Sequence, residues 1–289
     1  MRVAHIIMVH KSPEQLLRLV KKLDHAQFDF YIHVDKKVDI LAFEHILTLP
    51  NLKFIKNRVN CNWGGNSLLT GIVSALTEVL SFEVRYDFIN LLSAQDYPLY
   101  PAESIYTYLE ANKGTNFISF DASRQTDWWK AAVSRYEKYH FTDLNIKSKY
   151  FFQKVVNTVM PKRKFPIYAE LYGGSKSTWW TITYDCAKLI SDQLSNNRKL
   201  IKFIRYSWGT DEFIVATIIM NSKFRDSTVN NNLRYIDWSE GNPNPKLLGM
   251  EDLEKITASK MLFARKFDIS YDKEVLTSID NRPDSINQV

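Results

Sequence analysis

Cysteine is scarce in this 289-residue sequence: only Cys61 and Cys186 occur, without a CxxC pair or a neighbouring histidine cluster. That speaks against a disulfide framework and a structural zinc site, and it suits a reducing cytoplasm. Long hydrophobic runs are missing too. No segment reaches the roughly 20 apolar residues of a membrane span, and Met1 to Val9 is too short for a signal peptide's apolar core plus cleavage site. The expectation is a cytoplasmic protein, free or peripheral at the inner face of a membrane. Gly64-Gly65 and Gly173-Gly174 are isolated pairs, and neither Gly-x-Gly-x-x-Gly nor a P-loop occurs. A dinucleotide fold and a P-loop NTPase are therefore unsupported. The lack of Gly-x-Ser-x-Gly and His-Glu-x-x-His weakens the common hydrolase and zinc-protease readings. There is no internal repeat.

What is present is apolar and aromatic. With 45% hydrophobic residues the chain can bury a sizeable core, in one large domain or two small ones. The 38 Lys and Arg against 32 Asp and Glu leave a charge of +6, which suits phosphates or lipid headgroups. The excess is too small to indicate a nucleic-acid partner. Val3 to Val9 reads as a strand, followed by Ser12-Pro13-Glu14-Gln15, an N-cap with Pro at N1 and Gln completing a capping box. Leu16, Leu19, Val20 and Leu23 continue at helical spacing, and Phe30 to Val34 is a second strand. This β-α-β opening predicts parallel strands. A third short strand is expected at Leu52 to Ile55 and a helix from Ser67 to Val79. Phe88 to Leu92, an apolar run stopped by Ser93, Asp96 and Pro98, predicts a strand buried on both faces. A helix after Pro101 and a strand near Phe117 end the regular alternation.

Residues from about Asp121 to Pro166 change character. Trp128, Trp129, Tyr136, Tyr139, Phe141 and Tyr150 to Phe152 alternate with Arg124, Lys130, Arg135, Lys138 and Lys147, which suggests an inserted wall for a second substrate. Within it, 147–164 reads as a basic amphipathic helix, either lying on an anionic membrane or packed on the core as part of that wall. Beyond it, a helix from Asp185 and strands at Trp179 to Thr183 and Leu233 to Trp238 are expected. Thr210 reads as the N-cap of a helix over Phe213 to Met220.

The carboxyl ends of parallel strands are where an α/β sheet binds ligands. Asp35 stands at such an end, either to accept hydrogen bonds from a nucleoside or as a solvated turn acid. The run Asp35-Lys36-Lys37-Val38-Asp39 has no Asp-x-Asp, so cations would have to neutralise a diphosphate in place of a metal. Lys266, beside Arg265, is the first choice. Glu212 is the sharpest general-base candidate; the rival reading is that Asp211 and Glu212 offset a helix dipole. His5, His10 and His33, on or beside strands, read as packed or backbone-bonded.

Several stretches carry a resemblance: Ile7-Met8-Val9-His10-Lys11 with Pro13 to Leu16, Tyr31 to Lys37, Trp63 to Leu68, Leu91 to Leu99, Gly174-Ser175 with Trp179-Trp180, and Leu262 to Asp268. Together they resemble the core-2/I-branching β-1,6-N-acetylglucosaminyltransferase family, which also contains the peptide O-xylosyltransferases. The resemblance implies an α/β, GT-A-like nucleotide-sugar-binding fold, a mixed central sheet flanked by helices. It implies a UDP-sugar donor, inversion by single displacement, and no metal or other cofactor. It puts donor contacts at Val9, His10, Asp35, Ser93, Asp96, Arg265 and Lys266, with Lys246 as a second diphosphate cation. Glu212 is then the base, and Arg135, Trp179 and Trp238 meet the acceptor. A single domain over 1–280 is expected, with 1–120 as the UDP-binding half, 121–280 as the acceptor-side and catalytic half, and 281–289 as a tail. The chain departs from the family's Golgi members in lacking their disulfide cysteines and anchor, so their acceptors do not carry over. The acceptor is expected to be a glycan or a lipid-linked saccharide. Asp211-Glu212 looks more like the N-acetylglucosaminyl branch, and Asn230 to Arg234 more like the xylosyl branch. UDP-GlcNAc is the donor favoured, UDP-xylose the alternative, and a non-catalytic glycan-binding module the rival from another class.

Overall fold

The β-branched run Val3–Val9 forms β1, buried along its whole length, and it leads into helix α1 (Pro13–Lys22) and strand β2 (Phe28–Val34). The computed structural model describes residues 1–49, 51–122 and 126–282. A 3-10 segment (Ile40–Thr48) and β3 (Leu52–Phe54) follow, then α2 (Asn66–Leu80), β4 (Phe88–Ser93) and β5 (Tyr97–Pro98). Next come α3 (Ala102–Ala111), β6 (Asn116–Ile118), β7 (Asp121–Ala122), α4 (Asp127–Glu137) and α5 (Lys149–Val159). β8 (Tyr172–Gly173), β9 (Trp180–Thr183), α6 (Tyr184–Asn196) and α7 (Arg198–Ile204) precede a 3-10 turn at Thr210–Glu212 and helix α8 (Ile214–Met220). The chain closes with β10 (Thr228–Asn230), β11 (Arg234–Ile236), α9 (Leu253–Ala258), β12 (Phe263–Arg265) and α10 (Glu274–Asp280).

Among the described residues, seven strands build a mixed central sheet in the order β10-β6-β9-β4-β1-β2-β3. β1 pairs in parallel with both β2 and β4, while β9 runs antiparallel to β4 and β6. Alternation along β1 splits the core: Val3, Ile7 and Val9 join α1 and α3 on one face, and Ala4, Ile6 and Met8 join α2, α6 and α8 on the other. A small sheet, β11-β12-β5, carries the late segment to the edge where β1, β2 and β4 end.

Some expectations change. Ser12 adopts a left-handed conformation (φ 55°) and makes no side-chain cap, although Pro13 does open α1. Gln15 forms no capping box; its amide donates to the Ala94 and Phe267 carbonyls at 2.9 and 3.1 Å, and its oxygen accepts from the Ile269 N–H at 2.8 Å. Three backbone groups in and beside the interior, of which the Phe267 carbonyl also accepts from Gln95 Nε2 at 3.1 Å, outweigh a local cap. Thr210 does not cap α8 either, because its hydroxyl donates to Asn66 Oδ1 at 3.0 Å. The spans 1–120 and 121–280 share one sheet, with β9 lying between β6 and β4. None of the described residues of 121–166 lines the main cavity. α5 buries no residue and is not packed on the core. Arg124 and most of the tail lie outside the described residues.

Candidate functional site

One cavity of about 520 Å³ opens at the carboxyl ends of β1, β2 and β4. Val9, His10, Asp35 and Ser93 reach it from those strand ends, and Arg265 and Lys266 reach it from β12. Trp179, Glu212 and Trp238 line it as well. Asp96, Lys246 and Arg135 do not.

On the strand-end side, Asp35 is buried but faces the cavity. Its Oδ1 accepts the Lys37 N–H at 2.9 Å and its Oδ2 the Cys61 N–H at 3.3 Å, so it also braces its own turn. Of the histidines, His5 is fully buried against Asn90, and burial, helped by Arg234, lowers its pKa to about 3. His33 accepts the Val59 N–H at 3.1 Å, and His10 is exposed at the cavity rim.

Asp96 belongs to the frame below the cavity. Its Oδ2 accepts the Ser93 N–H at 2.8 Å, and its Oδ1 lies 3.4 Å from Arg265 Nε. Burial pushes the Asp96 carboxyl up while Arg265 and Arg234 draw it down. Arg265 stacks on the Trp179 ring at 4.3 Å, and its buried Nη1 has no partner among the described residues. That is an unspent donor beside the cavity. The Lys266 ammonium makes no hydrogen bond or ion pair with the described residues, because Lys11 takes the nearby Asp268. Burial, together with Arg265 and Lys11, lowers the Lys266 pKa.

Lys246 corrects one expectation. Its ammonium is 2.6 Å from Asp252 Oδ1, and only Pro243, Asn244 and Pro245 of this loop face the cavity. The buried Asp252 carboxylate competes for the charge at close range, so the loop turns the lysine away.

Glu212 sits opposite, in the 3-10 turn. Its carboxylate is held by Arg135 of α4, whose guanidinium lies 4.9 Å from the Trp128 ring and 4.6 Å from the Trp208 ring. Arg135 was expected to meet the acceptor; in the structure its guanidinium pairs with Glu212. Burial pushes the Glu212 carboxyl up and the adjacent Asp211 adds to this, while Arg135 opposes them. Asp211 was read as a helix acid and, with Glu212, as a mark of the N-acetylglucosaminyl branch. It is buried, lines the cavity and accepts from the Thr178 hydroxyl at 2.8 Å. Sequence offered a signal in the adjacent carboxylates, but none for Thr178.

The two glycine pairs position this turn. Gly64 has φ +69°, and a Cβ there would lie 2.4 Å from the Trp208 ring; its carbonyl accepts the Gly209 N–H at 2.8 Å. A Cβ on Gly173 would lie 2.6 Å from the Glu212 carbonyl, which accepts the Gly174 N–H at 3.0 Å. Only glycine tolerates both the left-handed backbone and these close approaches.

Among the described residues no group of three or more His, Cys, Asp or Glu side chains gathers to hold a metal ion. What remains is a cavity with the Lys266 ammonium and the unbonded Nη1 of Arg265 on one side and a carboxylate of raised pKa on the other. Such a site can bind an anionic leaving group and accept a proton near it.

The chain is similar over residues 3–262 to the model of the Core-2/I-Branching enzyme family. A xylosyltransferase of Ciona intestinalis is 26% identical over 301 residues, covering 96% of this chain and 34% of the relative. Xylosyltransferase 2 of Homo sapiens is 27% identical over 308 residues, covering 96% and 33%. The chain thus spans about a third of the length of these relatives. Among solved structures, the apo form of mouse xyloside xylosyltransferase 1 aligns with a TM-score of 0.40 and 10% identity, covering 83% of this chain and 90% of that one. With its family model matched over nearly its whole length, the chain belongs to the Core-2/I-Branching enzyme family.

Proposed function

We propose that the chain is an inverting glycosyltransferase of GT-A-like fold that moves a sugar from a UDP-sugar to a hydroxyl of a glycan or lipid-linked acceptor, without a divalent metal. The observation that carries this reading is the opposition, in one cavity, of Glu212 to the Arg265 and Lys266 cations. The cavity volume suits a small-molecule ligand, for which roughly 300–1,000 Å³ is usual. In the proposed reaction Glu212 takes the proton of the acceptor hydroxyl. The freed oxygen attacks the anomeric carbon from the face opposite UDP, the bond to the diphosphate oxygen breaks, and Arg265 and Lys266 stabilise the departing charge. Asp35 and Ser93 would hold the nucleoside and its phosphates, and Trp179 and Trp238 would stack on sugar rings.

UDP-GlcNAc was favoured on Asp211-Glu212; the names of the relatives support UDP-xylose. The two free thiols support a reducing, cytoplasmic location. A screen of UDP-sugars for UDP release, with and without EDTA, tests the reading. Turnover of UDP-xylose or UDP-GlcNAc that persists in EDTA is expected. Oligosaccharide binding with no affinity for UDP by calorimetry would replace the enzyme with a glycan-binding module.

A further inference from the structure

We propose that the outer face of α5, with the basic residues around it, is a docking surface for an anionic lipid membrane. A surface helix ordinarily turns its apolar stripe to the core. α5 does the reverse. Phe151, Val155 and Val159 recur every fourth residue on the solvent side, with Phe152 beside them; Phe151 is 65% and Val159 77% exposed. The inward side is held by amides: Asn157 makes two 2.8 Å hydrogen bonds with the Tyr139 backbone, and Gln153 Oε1 accepts the Phe141 N–H at 2.8 Å. The helix is thus anchored by polar contacts that leave its apolar face free. Of the fourteen large exposed apolar side chains among the described residues, seven fall between Ile146 and Met160, which makes this a patch and not scattered exposure.

The charge around the patch selects the partner. From 144 to 169 the sequence contains no Asp or Glu and six Lys or Arg. Three of these are engaged: Lys149 donates to the Thr142 carbonyl, Lys162 pairs with Glu137, and Arg163 turns inward to the Tyr206 carbonyl. Lys147, Lys154 and Lys164 are exposed, and their ammonium groups make no hydrogen bond or ion pair with the described residues. A symmetric pairing of two copies through this face would bring cations against cations. An anionic bilayer accepts both features at once, with the aromatic and aliphatic side chains entering the headgroup boundary and the lysines meeting phosphates. Arg163 N–H also donates to the Glu137 carbonyl at 2.9 Å, at the end of the helix that carries Arg135. A docked α5 would hold the Glu212 side of the cavity beside the membrane.

Flotation with phosphatidylglycerol–phosphatidylcholine vesicles tests the proposal, with phosphatidylcholine alone as control. The full chain should float with the anionic vesicles and stay behind with the neutral ones. Replacing Phe151, Val155 and Val159 together by Ser should abolish flotation without changing circular dichroism. Exchanging Lys147, Lys154 and Lys164 for Gln should weaken binding on the order of a hundredfold. Flotation that is absent, or unchanged in the Ser variant, overturns the proposal. So does a dimer in solution that only the Ser variant loses, which would assign the face to a second copy, or binding of acidic peptides but not of vesicles.

Discussion

The side chain on which the site turns is Glu212, and its surroundings set its proton affinity. Burial raises its pKa first, Asp211 adds to the rise, and Arg135 counteracts both. A base must be ionised, so activity should fall as the pH drops through a limb lying above the ordinary Glu value of about 4.3. Arg135→Gln removes a group that lowers the pKa, so its limb in kcat/KM should move to higher pH. A limb that stays in place would show that Arg135 does not tune the carboxylate. The sequence made Glu212 legible through its residue type and its place behind a Gly-containing turn. Its partner was not legible: Arg135 is 77 residues away, and nothing local marks it as a holder of a carboxylate instead of an acceptor contact. Lys246 misled for a similar reason. Its neighbours reach the cavity, but Asp252, six residues on, takes its charge.

At the level of elements, the β1-α1-β2 opening was readable because apolar spacing switches from strand to helix and back, with Pro13 marking the change. β4 was readable as a largely apolar run, interrupted only by Asn90 before it ends at Ser93, and it is buried throughout. β10 and the 3-10 segments escaped because a three-residue strand and a turn of 3-10 helix carry no period. What most separates structure from pattern is Gln15, which joins α1 to the loop after β4 and to the segment after Lys266. Gln15→Leu would strip the Ala94 carbonyl and the Ile269 N–H of the Gln15 bond and leave the Phe267 carbonyl to Gln95 Nε2 alone, at 3.1 Å. It should cost about 2–4 kcal/mol of stability in urea unfolding, and it should also weaken donor affinity, since the 265–269 segment loses a tether. Full stability in that variant would mean that water or a shifted backbone satisfies those groups.

At the scale of the whole molecule, the cavity draws on β1 near one end of the chain and β12 near the other, with Glu212 between them in sequence. Strand ends could be placed from sequence because parallel pairing puts them on one edge. Which late residues return to that edge depends on the β11-β12-β5 sheet, whose strands are only two or three residues long. Lys266, beside Arg265, stood out by its charge in a late basic segment, and the family resemblance pointed to the same residue, whereas periodicity gave no sign of its return to this edge.

The proposed mechanism divides the labour across this cavity, with proton transfer at Glu212 and diphosphate binding at Lys266. The most direct measurement compares UDP affinity by calorimetry and turnover of the accepted UDP-sugar in Glu212→Gln and Lys266→Ala. Glu212→Gln should bind UDP like the unaltered chain but lose about 10²–10⁴-fold in turnover, whereas Lys266→Ala should lose UDP affinity. Near-normal turnover by Glu212→Gln, or undiminished UDP affinity in Lys266→Ala, would contradict it.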